Sequence, residues 1–194
     1  MAAKIKRINI VPYSPLWPKN FSDEAQKIQH CLGDICIAVH HIGSTAVPGL
    51  VSKNTIDILC VVKSLLNIKN LEPHGYSAKG ELNIPLRYYY SNNTIDPRIN
   101  LHICEEEHGF LALNLSFRDY LRQDTKERDK YAALKQTILK SETASHKTVS
   151  IQRSTLFPLH ASEILNLAIY NIKKISVFFF SYDVFSSIVR LGLG

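Results

Sequence analysis

The chain has 194 residues, 45% of them hydrophobic, with 23 Lys and Arg against 17 Asp and Glu and a formal net charge of +6. That length suits one domain burying on the order of 70% of its unfolded surface, and the composition excludes a disordered chain. The basic excess is dispersed, with no run of about five or six like charges and no aromatic-interleaved basic patch, so nucleic acid is not expected as a partner, whereas phosphorylated small molecules are.

Trp17 to Leu32 reads as a helix, with Pro18 in its first turn, Phe21, Ala25, Ile28 and Leu32 at helical spacing, and Gly33-Asp34 as its stop. Ile35 to Ile42 reads as a strand, Gly43 to Val51 as a turn with a short helix punctuated by Pro48-Gly49, and Thr55 to Val62 as a second strand. That second strand is apolar on both faces except at Asp57, the pattern of a strand inside a sheet. Ser64 to Glu72 is expected to be a short helix closed by Pro73-His74-Gly75. Leu86 to Ser91 and Arg98 to Cys104 are expected to form a hairpin across Asn92-Asn93 and Asp96-Pro97. Glu107 to Arg122 follows as a helix, with Glu105-Glu106-Glu107 offsetting its dipole. Asp124 to Glu127 then reads as a capping box opening another helix with a Tyr131, Leu134, Ile138, Leu139 stripe.

Residues 1–140 form the predicted α/β domain, a mixed sheet flanked by helices, and residues 141–194 an atypical C-terminal extension. Pro158 to Ile172 is a candidate helix there. Ile175 to Leu191 approaches the length of a bilayer span, but Asp183, Tyr182 and four serines argue against one, so no membrane association is expected. The charged N-terminus is no signal peptide, which points to the cytoplasm. Cys31, Cys36, Cys60 and Cys104 lack metal spacing and read as reduced thiols, with Cys60 and Cys104 as small core residues. The remaining histidines, His30, His74, His108, His146 and His160, also lack metal spacing.

The chemistry concentrates in His41-Ile42-Gly43-Ser44-Thr45-Ala46-Val47-Pro48-Gly49-Leu50, followed by Lys53 and Ile56-Asp57-Ile58. A strand ends, a Gly-Ser-Thr turn follows, and a helix beginning there would direct free N–H groups at an anion. Gly43 permits close backbone approach, Ser44 and Thr45 offer hydroxyl donors, and the chain returns to set Asp57 near the same turn. A phosphate cradle beside a carboxylate is the minimum for holding Mg²⁺, or Mn²⁺, on a nucleoside triphosphate. Each residue also has a plainer role. Asp57 would pair with Lys53 or an arginine, Ser44 and Thr45 would cap a helix, His41 would be a core histidine, and Lys53 would lay its stem along the surface. Glu81 and Arg87 are either loop charges or site groups, Arg87 as an anion clamp. Arg118 and Arg122 lie on one helix face and either reach a phosphate or pair with Asp119 or Glu127. Tyr88-Tyr89-Tyr90 reads as strand packing.

The run HIGSTAVPGL, the downstream K-x-x-I-D-I and Phe117-Arg118-Asp119-Tyr120-Leu121-Arg122 resemble the signatures of the GrpB family. Tyr13-Ser14-Pro15-Leu16-Trp17-Pro18, Gly75-Tyr76, Gly80-Glu81, Arg87, Leu101-His102-Ile103 and Tyr131 to Lys135 fall in the family's order, so the resemblance covers roughly residues 10–140. It implies a nucleotidyltransferase-like fold, in which a Gly-Ser turn binds a triphosphate and three acids hold two metals. Gly43, Ser44 and Asp57 are kept, Leu59 stands where the second acid belongs, and His102 is the residue best placed for the third. The resemblance therefore implies an enzyme moving a nucleotidyl group to an acceptor. Asp57 and His102 would bind metal, Glu81 would complete the site or act as base, Arg87 would steady charge, and His41, Gly43, Ser44, Thr45 and Lys53 would bind the nucleotide. The alternative is a nucleotide- or phosphometabolite-binding module without catalysis, with a role near coenzyme A metabolism as a weaker option.

Overall fold

The computed structural model describes residues 9–68 and 70–140; the expectations for residues 141–194 lie outside them. The order is α1 (Trp17–Leu32), β1 (Cys36–Ile42), β2 (Thr55–Val62), β3 (Ser77–Ala78), β4 (Tyr88–Asn92), β5 (Arg98–Glu105), α2 (Gly109–Gln123) and α3 (Thr125–Lys140). The strands form one five-stranded sheet in the order β1-β2-β5-β4-β3. Only the β2–β5 pairing is parallel, so the sheet is mixed, as the sequence predicts. β2 and β5 are interior strands, which explains why both read as nearly continuous apolar runs.

Strand alternation divides the two faces. Ile56, Ile58, Cys60 and Val62 of β2 join Ile99, Leu101 and Ile103 of β5 against Trp17, Ile28 and Leu32 of α1. On the other face Leu59, Ile42 and Cys104 pack against Phe110, Leu111 and Leu115 of α2. A third cluster joins Val47 and Leu50 to Leu121, with Phe117, Tyr120 and Tyr131 around them, and so embeds the turn after β1 between α2 and α3. Cys60 and Cys104 are fully buried, as their apolar settings suggest.

α1 has the predicted limits: Pro18 lies in its first turn, and Gly33, at φ 61°, returns its N–H to the Gln29 carbonyl. The hairpin forms with the expected strands, and Asp124 Oδ1 caps α3 by accepting from the N–H groups of Lys126 and Glu127 at 2.9 and 3.0 Å.

Three local expectations are corrected. The segment predicted as a helix over 64–72 forms only two single 3₁₀ turns, Leu65–Asn67 and Glu72–His74. Leu65 and Leu71 are buried but Leu66 is 92% exposed, so no helical apolar face exists to hold a longer helix. The turn after β1 likewise contains one 3₁₀ turn, Ser44–Ala46, rather than a helix. Glu105 does not serve the dipole of α2; it ends β5 and accepts from the Leu65 N–H at 3.0 Å, while His108 Nδ1 caps α2 through the Phe110 N–H. The short edge strand β3 has no counterpart in the sequence reading, since Ser77 and Ala78 are exposed and give no alternation.

One polar contact is built into the α1 face. Glu24 is 5% exposed; it accepts from Tyr76 Oη at 2.6 Å and from Lys27 Nζ at 2.8 Å. Burial, then the bond to Glu24, pushes the Tyr76 phenol well above its ordinary value, so it stays a donor. Tyr76→Phe should cost about 1–3 kcal/mol by leaving the carboxylate under-satisfied, measured as a lower urea midpoint with an unchanged slope.

Candidate functional site

β1 ends against Gly43, whose backbone (φ 71°, ψ −170°) is open essentially to glycine alone. A Cβ there would stand 2.5 Å from Asp57 Oδ2, so the backbone of the turn and the carboxylate are in direct apposition. This brings Gly43, Ser44 and Asp57 together as the sequence predicts.

His41 and Thr45 are placed differently. Antiparallel pairing sets His41 beside Ile58, on the α1 face, whereas Ile42 pairs with Asp57. The His41 ring stacks on Phe21 at 4.8 Å between centroids, and its Nε2 lies 3.0 Å from Thr45 Oγ1. Thr45 is fully buried and its hydroxyl donates to the Thr55 carbonyl at 3.3 Å, so it must accept from His41. His41 therefore carries a proton on Nε2. Burial, with the Arg122 and Arg118 charges adding, pulls its pKa from 6.5 down to about 4. These two residues pin the turn from beneath.

A 3₁₀ turn of three residues supplies no substantial dipole. Positive charge reaches the turn from α2 and α3 instead. Arg118 Nη1 donates to the His41 carbonyl at 3.1 Å, Arg122 Nε to the Ala46 carbonyl at 2.8 Å and Arg128 Nη1 to the Pro48 carbonyl at 3.3 Å. Lys135, 8% exposed, donates to Ser44 Oγ at 3.0 Å and to the Val51 carbonyl at 2.7 Å. Arg118 and Arg122 also meet Asp119, at 2.7 and 3.7 Å, the pairing that the sequence offers as their plainer role. Lys135 has no separate role in the sequence reading; its signal is its position four residues after Tyr131, whose ring it faces at 5.5 Å.

The neighbours of Asp57 are set by the β2–β5 register, which pairs Asp57 with Asn100 and Leu59 with His102. Asn100 Nδ2 donates to Asp57 Oδ1 at 2.7 Å, and Tyr89 Oη donates to Asn100 Oδ1 at 2.8 Å, fixing the amide's orientation. Alternation places Asn100 and His102 on one face, but only register selects between them, so Asn100 was missed. Lys53 is half-buried nearby; burial lowers its pKa, Asp57 opposes that shift and Arg98 adds to it.

His102, Arg87 and Glu81 form a neighbouring cluster that locks the loop before β4. Arg87 is 2% exposed; its Nη1 donates to His102 Nδ1 at 3.0 Å and its Nη2 to the carbonyls of Glu81 and Leu82 at 2.9 and 3.2 Å. Burial lowers the Arg87 pKa, and its guanidinium lies 5.4 Å from the Tyr89 ring centroid. Because Arg87 only donates, His102 is neutral with its proton on Nε2, and its Nδ1 lone pair is engaged. Glu81 is exposed and its Oε1 accepts from the Leu86 N–H at 2.7 Å.

The donor set does not fit a two-metal centre. Asp57 is the one carboxylate where three acids are needed, Asn100 turns its NH₂ end toward it, and the His102 lone pair is used by Arg87. Among the described residues no group of three His, Cys, Asp or Glu side chains is disposed to hold a metal ion.

The model of the family described as "GrpB protein" matches residues 7–153. The chain belongs to the GrpB family. It is 36% identical over 142 residues to the UPF0157 protein BH1888 of Halalkalibacterium halodurans, covering 70% of this chain and 71% of that one. The crystal structure of the conserved protein GrpB from Enterococcus faecalis superposes with TM-score 0.63 at 28% identity, covering 86% of this chain and 98% of that one. A crystal structure of the Cid1 poly(U) polymerase is a more remote match, TM-score 0.47 at 13% identity over 64% of this chain and 42% of that one, too slight to bring that protein's activity here. In this GrpB-family chain no described helix is long and apolar enough to cross a membrane.

Two outcomes follow from the geometry. Gly43→Ala should cost about 1–3 kcal/mol, since the new methyl meets both a disfavoured φ and Asp57; thermal and urea unfolding would show it. The lowered His41 pKa has a definite sign. Between pH 6.5 and about 4 the unfolded chain binds a proton at this site that the folded chain does not. Stability from this group is therefore complete above pH 6.5 and falls as the pH drops toward 4. A His41→Gln variant should show a flatter stability profile across that window.

Proposed function

We propose that this protein binds a nucleotide or another phosphorylated small molecule at the Gly43-Ser44 turn, with Asp57 as the polar group beside it. The observation that carries the reading is Lys135. An ammonium is costly to bury, yet this one is held inside α3's packing with its Nζ 3.0 Å from the Ser44 hydroxyl. A phosphate oxygen meeting Ser44 there would gain a charge-assisted hydrogen bond from a positioned cation. Gly43, with no side chain, leaves the backbone open to close approach.

Between binding and transfer, Leu59 and Asn100 favour binding, because neither supplies the charge that nucleotidyl transfer by two metals requires. Transfer of a nucleotidyl group with Mg²⁺ or Mn²⁺ is the second reading, and the carboxylate of Asp57 next to the turn is what favours it.

The test is thermal-shift binding of ATP, GTP, CTP, UTP and coenzyme A, each with and without Mg²⁺ or Mn²⁺. A ligand at about 100 times its Kd should add about 2.7 kcal/mol to stability. Lys135→Met, checked for folding by circular dichroism, should weaken that ligand at least about tenfold. Asp57→Asn should remove any metal-dependent part of the shift. Folded wild-type protein that responds to none of these ligands would overturn the nucleotide reading and turn the search to other phosphorylated ligands.

A further inference from the structure

We propose that Cys36 and Cys60 form an oxidation site that closes to an intramolecular disulfide. The sulfurs lie 3.6 Å apart across β1 and β2. A disulfide needs about 2.05 Å, so the sulfurs must approach by about 1.5 Å. Two features of the fold permit that movement. Among the described residues β1 is an edge strand, hydrogen-bonded along one side only. Its pairing with β2 is also irregular at this point, where the register shifts between Cys36 and Ala38.

The two cysteines differ in access. Cys36 is half-buried at the start of β1, whereas Cys60 is fully buried in the interior strand. Burial, with Cys36 close by, pushes the Cys60 thiol far above its ordinary value. Cys36 is therefore the sulfur that meets an oxidant and Cys60 the one that resolves it. With a hydroperoxide as oxidant, the Cys36 sulfur attacks one peroxide oxygen, the O–O bond breaks, and a sulfenic acid and water (or the corresponding alcohol) result. The Cys60 sulfur then attacks the Cys36 sulfur; the S–S bond forms as the S–O bond breaks, and the departing hydroxide leaves as water with the Cys60 proton. Two thiols are oxidised and one peroxide is reduced.

The link has a structural consequence. The loop it closes runs from 36 to 60 and contains Gly43, Ser44, Lys53 and Asp57, so oxidation ties together the two ends of the segment that builds the candidate site. The chemistry at the sulfurs does not depend on any ligand of that site.

Cleavage on the N-terminal side of aspartate separates all four cysteines, into peptides 23–33, 34–56, 57–95 and 96–118. The reduced full chain is treated with hydrogen peroxide, blocked with an alkylating reagent, cleaved without reduction and mapped by mass spectrometry. The expected result is 34–56 joined to 57–95, lighter by two hydrogen atoms than the two reduced peptides and separated again by dithiothreitol. Peptides 23–33 and 96–118 should carry alkylated thiols. In the Cys36→Ser protein the same treatment should leave Cys60 reduced. The proposal is overturned if Cys60 is recovered alkylated while Cys36 is oxidised further or joined to a second chain, or if Cys60 oxidises as fast without Cys36.

Discussion

Eight successive residues of β2 and β5 pair in parallel, from Thr55 with Arg98 to Val62 with Glu105, and the site depends on that register. It buries both strands on the α1 face through Ile56, Ile58, Ile99 and Leu101. It also decides what stands next to the carboxylate on the opposite face. A shift of two residues would bring His102 to Asp57 in place of Asn100, but it would also set the buried Cys60 opposite Glu105. The observed register instead gives Asp57 an amide donor that is itself held by Tyr89.

The turn between β1 and β2 is irregular backbone placed close to the core, where unsatisfied carbonyls are expensive. α2 and α3 resolve this with cations. Arg118, Arg122, Arg128 and Lys135 each donate to a carbonyl of the segment from His41 to Val51, while Val47 and Leu50 anchor it among apolar side chains. Burial, with the Arg122 and Arg118 charges adding, keeps His41 neutral, and its bond with Thr45 fixes the turn from the α1 side. Gly43 and Ser44 are thus held rigidly although they lie in neither helix nor strand, which is the condition for presenting donors in a fixed geometry.

The electrostatic character of the site follows. Lys53 lies near Asp57 and Arg98, and Arg118 and Lys135 bond the turn, so cations outnumber the Asp57 and Asp119 carboxylates and the surroundings favour an anion more than they favour several cations. Arg87 and His102, which looked in the sequence like a clamp and a metal ligand, are engaged with each other and with loop carbonyls. Their cluster stabilises the loop before β4 and so holds Tyr89 where it can orient Asn100.

The sequence by itself determined α1, the four longer strands, the cap of α3 and the pairing of Gly43 and Ser44 with Asp57. Each rests on a local cause: apolar spacing, a glycine at positive φ, a capping aspartate, or a single polar residue in a buried strand. The tertiary structure decided what local pattern leaves open. Alternation says that Asn100 and His102 share a face but not which one lies beside Asp57. Helical spacing says that Lys135 follows Tyr131 on α3 but not that its ammonium reaches Ser44, 91 residues away in sequence. Cys36 and Cys60, with no motif spacing, meet only because antiparallel pairing across a register shift brings their sulfurs together. Long-range register and helix docking are collective results of burial, and no short window of sequence encodes them.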